Sequence, residues 1–184
     1  MTIGVAILLG GQSSRMGEPK HLIMVDEEQT LMDVMVSFAT TLSKTVVTVG
    51  GQYGSLPYML DQRIDTGPLA GIEALLHSRI CQRYLILGCD MPYLNMQSMQ
   101  QLIDATRSAA FVHDDRVYGL PCAIDSTCAD LSTTCLNEGM RSIKDFLRRI
   151  NCDLIPATSE LTTSFTSLNS PSDIHHFALK RRRA

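Results

Sequence analysis

The chain has 184 residues, of which 45% are hydrophobic, and it carries a formal net charge of −3. This length suits one compact domain, and no apolar run reaches the roughly 18–20 residues of a membrane span. Four positive charges stand together at Lys180–Arg183; without them, 12 Lys and Arg face 19 Asp and Glu, a balance of −7. This acidic body argues against broad nucleic-acid binding, and it requires a local basic cluster for any anionic ligand.

Strand-like and helix-like segments alternate along the chain. Strands are predicted at 3–9, 45–49 and 84–88, on both sides of a turn at 114–115, and at 152–155 and 165–168. Helices are predicted at 31–42 with Thr30 as the cap, at 68–79, 95–105, 128–136 and 142–150, and from Pro171 onward. The alternation predicts an α/β fold, a single three-layer α/β/α sandwich with a largely parallel sheet. We expect one domain over 1–179 and a basic tail over 180–184.

The first residues of the chain and its cysteines both favour a cytoplasmic location. The first residues, MTIGVAILLGG, lack a basic region followed by a cleavage site, so we expect no signal peptide and a cytoplasmic protein. Six cysteines are scattered without a C-x-x-C pair. This spacing disfavours a zinc site and indicates reduced thiols.

A glycine-rich loop, LLGGQSSRMGEPK, follows the first predicted strand. In such sheets ligands bind beyond the carboxyl ends of the strands, which is where this loop begins. Gly10 and Gly11 allow close backbone approach, and successive N–H groups can form an anion-binding nest. Arg15 offers a fork of donors to phosphate, and Lys20 adds a point charge. The spacing is neither that of a P-loop nor G-x-G-x-x-G, and the residues alone leave open a simple turn with two solvated cations.

The same loop resembles the L-A-G-G-x-S-x-R-M-G-x-x-K signature of nucleotidyltransferases. Three more segments resemble the molybdenum cofactor guanylyltransferases (the MobA type) within that family: TGPLAGI at 66–72, GCDMPYL at 88–94 and LNSPSDI at 168–174. All four occur in order along the chain. The resemblance implies a Rossmann-like nucleotidyltransferase fold.

The resemblance also implies the residues that handle the nucleotide. The implied nucleotide-binding set is Leu8, Leu9, Gly10, Gly11, Lys20, Thr48, Asp61 and Asp90. Within it, Asp61 would read guanine and Thr48 would lie beside the nucleoside. Arg15, Lys20 and Asp90 are the implied catalytic residues, with Arg15 offsetting charge on the leaving pyrophosphate. Leu9 departs from the usual Ala, a change that we expect to affect only packing under the loop.

Asp90 is supported by position as well as by resemblance. It follows a predicted buried strand, so it belongs at the carboxyl edge of the sheet, where a hard oxygen ligand can hold Mg²⁺ against phosphates. The alternative is an aspartate that caps the next helix. On the acceptor side, the resemblance implies Asn169, although Ser167 is a weaker match to the family. Arg141 is a plausible partner for the acceptor phosphate, or a surface residue at a helix start.

The implied reaction transfers GMP from GTP to molybdenum-bound molybdopterin and releases pyrophosphate, with Mg²⁺ as the cofactor. Other cofactor-biosynthesis proteins or the acceptor oxidoreductase are further expected partners, and neither a nucleic acid nor a membrane is expected. Two alternatives stay open. One is a relative that uses CTP, or a sugar or other phosphate acceptor. The other is a non-catalytic chaperone that binds GTP or the cofactor and releases no pyrophosphate.

Overall fold

The fold comes from a computed structural model that describes residues 2–9, 20–61, 63 and 66–181, without the side chains of Lys20, Pro171, Lys180 and Arg181. Gly10, Gly11 and Arg15 of the glycine loop lie outside the described residues, as does the end of the predicted basic tail. Among the described helices, none combines the length and the apolar character needed to cross a membrane.

A seven-stranded sheet forms the centre of the molecule. Its strands are β1 (Ile3–Leu8), β2 (Val46–Val49), β3 (Tyr58–Met59), β4 (Arg83–Gly88), β5 (Ala109–His113), β6 (Arg116–Asp125) and β7 (Asp153–Pro156). They lie in the order β3-β2-β1-β4-β6-β5-β7. Only β6 runs antiparallel to its neighbours, β4 and β5. The predicted largely parallel sheet is therefore confirmed.

Helices cover both faces of this sheet. They are α1 (Leu31–Leu42), α2 (Pro68–Ser78), α3 (Met96–Asp104), α4 (Ala129–Asn137), α5 (Ile143–Arg149), α6 (Ser159–Thr163) and α7 (Pro171–Arg181). Alternate residues of β1 face opposite sides, because side chains along a strand alternate. Ala6 packs in the core with α2, α4 and α5, whereas Ile7 packs in the core with α1 and α3. These layers confirm the predicted three-layer sandwich.

A third, smaller apolar cluster fastens the last helix to the body. Ile174 and Phe177 of α7 pack with Leu31 at the start of α1 and with Leu168. Tyr93 joins them through an edge-on contact with Phe177, with ring centroids 5.2 Å apart. The cluster thus connects the segment that precedes α7 to the turn that follows β4.

The start of α1 is held by a hydrogen-bonded network that reaches the loop after β2. Thr30 and Asp33 form a capping box, in which the Thr30 Oγ1 accepts from the Asp33 N–H at 3.1 Å and the Asp33 Oδ2 accepts from the Thr30 N–H at 2.8 Å. The Tyr53 hydroxyl donates to Asp33 Oδ1 at 2.8 Å. Burial alone would raise the pKa of Asp33, but the hydrogen bonds from Thr30 and Tyr53 bring it below its usual range.

The strand predicted at 165–168 is wrong. Helix α6 precedes this segment, which then runs on without pairing to the sheet. Phe165 stacks on Phe111, with ring centroids 4.8 Å apart, while Leu168 packs in the cluster around α7 and donates its N–H to the Asp90 carbonyl at 2.8 Å. Phe165 and Leu168 pack in two separate apolar clusters. Their apolar character therefore does not indicate a strand.

Replacing Thr30 with Ala should lower the free energy of unfolding by about 1 kcal/mol, because the first turn of α1 loses its cap. Thr30→Ser should lose much less, since the serine hydroxyl can still accept from Asp33. Urea denaturation at pH 7 measures both. Thr158→Ala is the matched control: Thr158 caps the five-residue helix α6 through a 3.1 Å bond, so its loss should be smaller.

The cost of Thr30→Ala should also depend on pH. Because the folded-state pKa of Asp33 lies below its unfolded value, its contribution is present above pH ~4 and is lost as the pH falls through the folded pKa. The gap between wild type and Thr30→Ala should therefore narrow in acid. A gap of the same size at pH 7 and pH 3 would contradict this assignment.

Candidate active site

The carboxyl ends of the parallel strands bring two acidic residues to one edge of the sheet. Leu8, the last residue of β1, lies opposite both Val49 of β2 and Gly88 of β4. Asp61 follows the end of β3 by two residues, and Asp90 follows the end of β4 by two residues. In the sheet, β1 lies between β2 and β4, so its carboxyl end lies between the strand ends that Asp61 and Asp90 follow.

Asp90 is half-buried and folds back over the end of β4. A Cβ atom on Gly88 would lie 2.9 Å from Asp90 Oδ1, a contact so close that the carboxylate would have to shift. The Asp90 backbone carbonyl accepts the Leu168 N–H at 2.8 Å. This bond brings the Ser167–Asn169 segment alongside Asp90, the position that Asn169 needs in order to take part in the site.

The donors at this point suit a magnesium ion held together with a nucleotide. Asp90 supplies carboxylate oxygens, and the side-chain amide of Asn169, whose Nδ2 donates to the Ser167 carbonyl at 3.1 Å, offers an oxygen acceptor. Within the part of the chain that the structure describes, no three His, Cys, Asp or Glu side chains converge as a ready-made metal site. Mg²⁺ is usually held through one or two carboxylates, waters and substrate phosphates, and this donor set fits that mode.

Asp61 lies against the first turns of α2. A Cβ atom on Gly71 would be 2.8 Å from Asp61 Oδ1 and 2.6 Å from a methyl carbon of Val49. Gly71, the last glycine of the G-P-L-A-G segment, therefore makes room for both. Although Asp61 as a whole is exposed, burial on this side raises the pKa of its carboxyl group.

Gly67, the first glycine of that segment, is favoured by its backbone conformation and by a close contact with Arg141. Gly67 precedes α2 with a φ of 72°, a conformation that favours glycine, and Pro68 occupies the first helical position. A Cβ atom on Gly67 would approach the backbone carbonyl of Arg141 to 3.2 Å.

The Arg141 guanidinium donates from Nη1 to the carbonyls of Leu136 and Met140, both at 2.9 Å. Arg141 thus braces the end of α4, and its contact with an acceptor stays a prediction.

Three of the remaining predicted nucleotide-binding residues are buried at or just after the ends of β1 and β2. Thr48 is fully buried, and its hydroxyl donates to the Gly51 carbonyl at 2.7 Å, which fixes the turn after β2. Leu8 and Leu9 are both buried, and a Leu9 methyl group would be 3.3 Å from a Cβ atom on Gly51. Direct contacts of these residues with a nucleotide stay predictions, as do those of Gly10, Gly11 and Arg15.

Lys20 begins a short 3₁₀ turn, Lys20–Leu22, at the return of the glycine loop. The turn is attached to the loop after β2, because the His21 ring meets Tyr53 edge-on with centroids 6.4 Å apart. Burial lowers the pKa of His21. The network at the start of α1 therefore also reaches the backbone of this turn.

Comparison with known proteins assigns this arrangement to a family. Residues 5–154 match the model of the MobA-like NTP transferase domain. The chain belongs to this family. The predicted enzyme class, a nucleotidyltransferase, is therefore confirmed.

Individual relatives agree with the family model. A probable molybdenum cofactor guanylyltransferase from Flavobacterium johnsoniae is 23% identical over 181 residues, which cover 95% of each chain. A molybdenum cofactor biosynthesis bifunctional protein from Synechocystis is 27% identical over 91% of this chain, which spans only 51% of that protein. The crystal structure of molybdopterin-guanine dinucleotide biosynthesis protein A from Archaeoglobus fulgidus shares the fold, with a TM-score of 0.79, 20% identity, and coverage of 98% of this chain and 100% of that one.

In this MobA-like transferase, a cavity of about 670 Å³ opens beyond Asp90 on the β6 side. Met91 and Asn169 line it near Asp90, and Arg116 and Lys144 line it from β6 and α5. Sequence reasoning missed both basic residues. The alternating pattern around Arg116 predicts a strand but not its direction, and direction decides which edge of the sheet Arg116 reaches.

Replacing Gly88 with Ala should displace the Asp90 carboxylate and lower kcat for pyrophosphate release on the order of tenfold to a hundredfold, because catalysis by positioning is sensitive to small displacements. The half-saturating Mg²⁺ concentration should rise as well. Steady-state kinetics across a Mg²⁺ titration measures both quantities.

Gly4→Ala is the matched control for Gly88→Ala. A Cβ atom on Gly4 would lie 2.9 Å from Cys81 Sγ, an equally close contact, but at the opposite end of β1. Both variants should lose stability in urea, while only Gly88→Ala should lose Mg²⁺-dependent turnover. Equal kcat values for the two folded variants would show that Gly88 does not position Asp90 for catalysis.

Proposed function

We propose that the chain transfers GMP from Mg²⁺-GTP to the terminal phosphate of molybdenum-bound molybdopterin and releases pyrophosphate. The observation that supports this most is the position of Asp90. It lies at the end of β4, between the point where the glycine loop leaves β1 and the cavity beside β6. A nucleotide held by the loop and an acceptor held in the cavity would meet at this carboxylate.

The reaction would proceed in one displacement at phosphorus. A phosphate oxygen of the acceptor attacks the α-phosphorus of GTP, and the bond to the bridging oxygen of pyrophosphate breaks, so no covalent enzyme intermediate is needed. Asp90 and Asn169 would hold Mg²⁺, which in such sites offsets the negative charge on the phosphates. Arg15 and Lys20 would bind the departing pyrophosphate, and catalysis would come from positioning and charge stabilisation.

Guanine would be selected by Asp61. Its carboxylate can accept from the N1–H and the exocyclic amine of guanine, a pair of donors that adenine and cytosine do not present at one edge. A base without those donors would leave the partly buried carboxylate unpaired, and this unpaired group makes the wrong base costly to bind. Partnership with other cofactor-biosynthesis proteins or with the acceptor oxidoreductase stays a prediction.

The proposed function predicts that GTP supports pyrophosphate release with molybdenum-bound molybdopterin, and that CTP, ATP and UTP support it poorly. Asp61→Asn should reduce the preference for GTP by on the order of tenfold or more, because the amide would face guanine with a donor where two acceptors are needed. Asp104→Asn is the control, since Asp104 is exposed at the end of α3, beside the Ala105 carbonyl that accepts from Arg83 at the start of β4, and so lies at the opposite edge of the sheet. A coupled pyrophosphate assay and calorimetric titration of the four nucleotides measure the effect.

Each alternative function has its own outcome in that experiment. A preference for CTP would move the protein to the cytidylyltransferases. Tight binding of GTP without pyrophosphate release, in the presence of acceptor and Mg²⁺, would favour a binding chaperone. Asp90→Asn serves as the inactive reference, and it should bind GTP while losing turnover by at least two orders of magnitude.

Arg15→Ala should lower kcat more than it weakens GTP binding, because charge gathers on the leaving pyrophosphate only in the transition state. Lys20→Ala should weaken GTP binding clearly. Arg15→Lys should restore little, since an ammonium group cannot replace the guanidinium fork. Kinetics and calorimetry on these variants provide the values.

Lys44→Ala is the matched control for these two cations, because Lys44 is exposed and precedes β2, at the opposite edge of the sheet. Its kcat and GTP affinity should equal those of the wild type. If Arg15→Ala and Lys20→Ala both behave like Lys44→Ala, the glycine loop does not bind phosphate.

A further inference from the structure

The cavity beside β6 lies on the side of Asp90 away from the proposed nucleotide site. In the strand order, β1, β2 and β3 are to one side of β4, and β6 is to the other. Asp61 belongs to the β3 end, whereas the cavity is lined by residues of β6, the start of α5 and the Ser167–Asn169 segment. Its volume of about 670 Å³ falls within the range of small-molecule sites.

The charge of this cavity is opposite to that of the body. Of the described residues that line it, Arg116 and Lys144 are basic and none is acidic. Within the described part of the chain, neither side chain forms an ion pair with a carboxylate. The neighbouring Asp145 instead pairs with Arg148 at 3.1 Å. Two uncompensated cations in a concave site, on a body with a balance of −7, will attract an anion.

Packing contacts hold both cations in place, at the stem of Lys144 and at the guanidinium of Arg116. Lys144 is half-buried, and a Cβ atom on Gly119 would lie 3.1 Å from its Cγ, so the lysine stem occupies the space that this glycine leaves. The Arg116 guanidinium lies over the Tyr118 ring, 5.3 Å from its centroid. Tyr118 in turn packs edge-on against Phe165 at 5.3 Å. Arg116 therefore rests on Tyr118, which in turn packs against the buried Phe165.

Arg141 is placed differently from these two residues. Its Nη1 atom already donates to two carbonyls at the end of α4, and the residue does not line the cavity. Lys144, three residues farther along the chain near the start of α5, does line it.

We infer that Lys144 and Arg116 bind the negative charge of the acceptor and thereby determine which acceptor is used. The ligand class is a phosphorylated small molecule with a planar ring, since Tyr118 and Phe165 contribute aromatic surface to the same wall. The inference rests on the proposed function. It adds a cationic acceptor subsite that is separate from the phosphate-binding loop of the nucleotide.

The test is steady-state kinetics with molybdenum-bound molybdopterin as the varied substrate at saturating GTP. Lys144→Met and Arg116→Met should each raise the KM for this acceptor about tenfold, the loss expected for one charge-assisted contact. Lys144→Glu should raise it further, on the order of a hundredfold, because attraction becomes repulsion. The KM for GTP should stay within about twofold of the wild-type value.

Arg148→Met and Arg148→Glu are the matched controls, because Arg148 is an exposed cation on the same helix as Lys144. They should leave the acceptor KM unchanged. A second readout is salt: the acceptor KM of the wild type should rise with NaCl, and that of Lys144→Met should rise less steeply. A merely structural role for Lys144 would not alter this salt dependence.

The outcomes separate this inference from the proposed function. If the wild type turns over but Lys144→Met and Arg116→Met match the Arg148 controls, the inference is overturned and the function stands. If the wild type does not turn over, the GTP-loaded protein is titrated with inorganic phosphate and followed by NMR. Shifts at the amides of 116–119 and 142–144 that disappear in Lys144→Met would support an anion subsite. Their absence in the wild type, or their persistence in the variant, would overturn it.

Discussion

The register of β1 between β2 and β4 is the constraint on which the rest of the site depends. Because Leu8 lies opposite both Val49 and Gly88, strands β1, β2 and β4 end at one level. The residues that follow these strands therefore lie at the same edge of the sheet. A slip of one residue would exchange the faces of Ala6 and Ile7, which pack against different helical layers. The apolar core therefore fixes the relative positions of the end of β1, Asp61 and Asp90, although neither aspartate belongs to the core.

Glycines, which have no Cβ atom, then determine the finer positions of polar side chains around the site. Gly71 leaves room for Asp61, Gly88 for Asp90 and Gly119 for the stem of Lys144. In each case the neighbour occupies space that an alanine would take, so a glycine in a strand or helix determines where a polar side chain of another segment can lie. Gly67 differs, because its positive φ as well as its contact with Arg141 favours glycine.

Much of this could be predicted from sequence, for identifiable reasons. Continuous apolar runs predict β1 and β4, and a residue that follows such a strand must lie at the carboxyl edge, so the location of Asp90 follows. The two residues of β3 and the five of α6 are too short to show a period. Phe165 and Leu168 imitate a strand because they are anchored in separate clusters. Arg116 and Lys144 were missed because their placement depends on the direction in which β6 runs through the sheet. That direction is set by tertiary packing and cannot be read from the local sequence pattern.

The reversed strand β6 has a consequence for how such enzymes can diversify. On the β1 side, the site is built from chain segments that leave the sheet, whereas on the β6 side it is built from a strand that is only entering it, just after the tight turn at Asp114–Asp115. Changes near this turn leave β1, β2 and β4 untouched. In the proposed reaction, the half of the site that handles the nucleotide can thus be retained through evolution while the residues around this turn are remodelled for another acceptor.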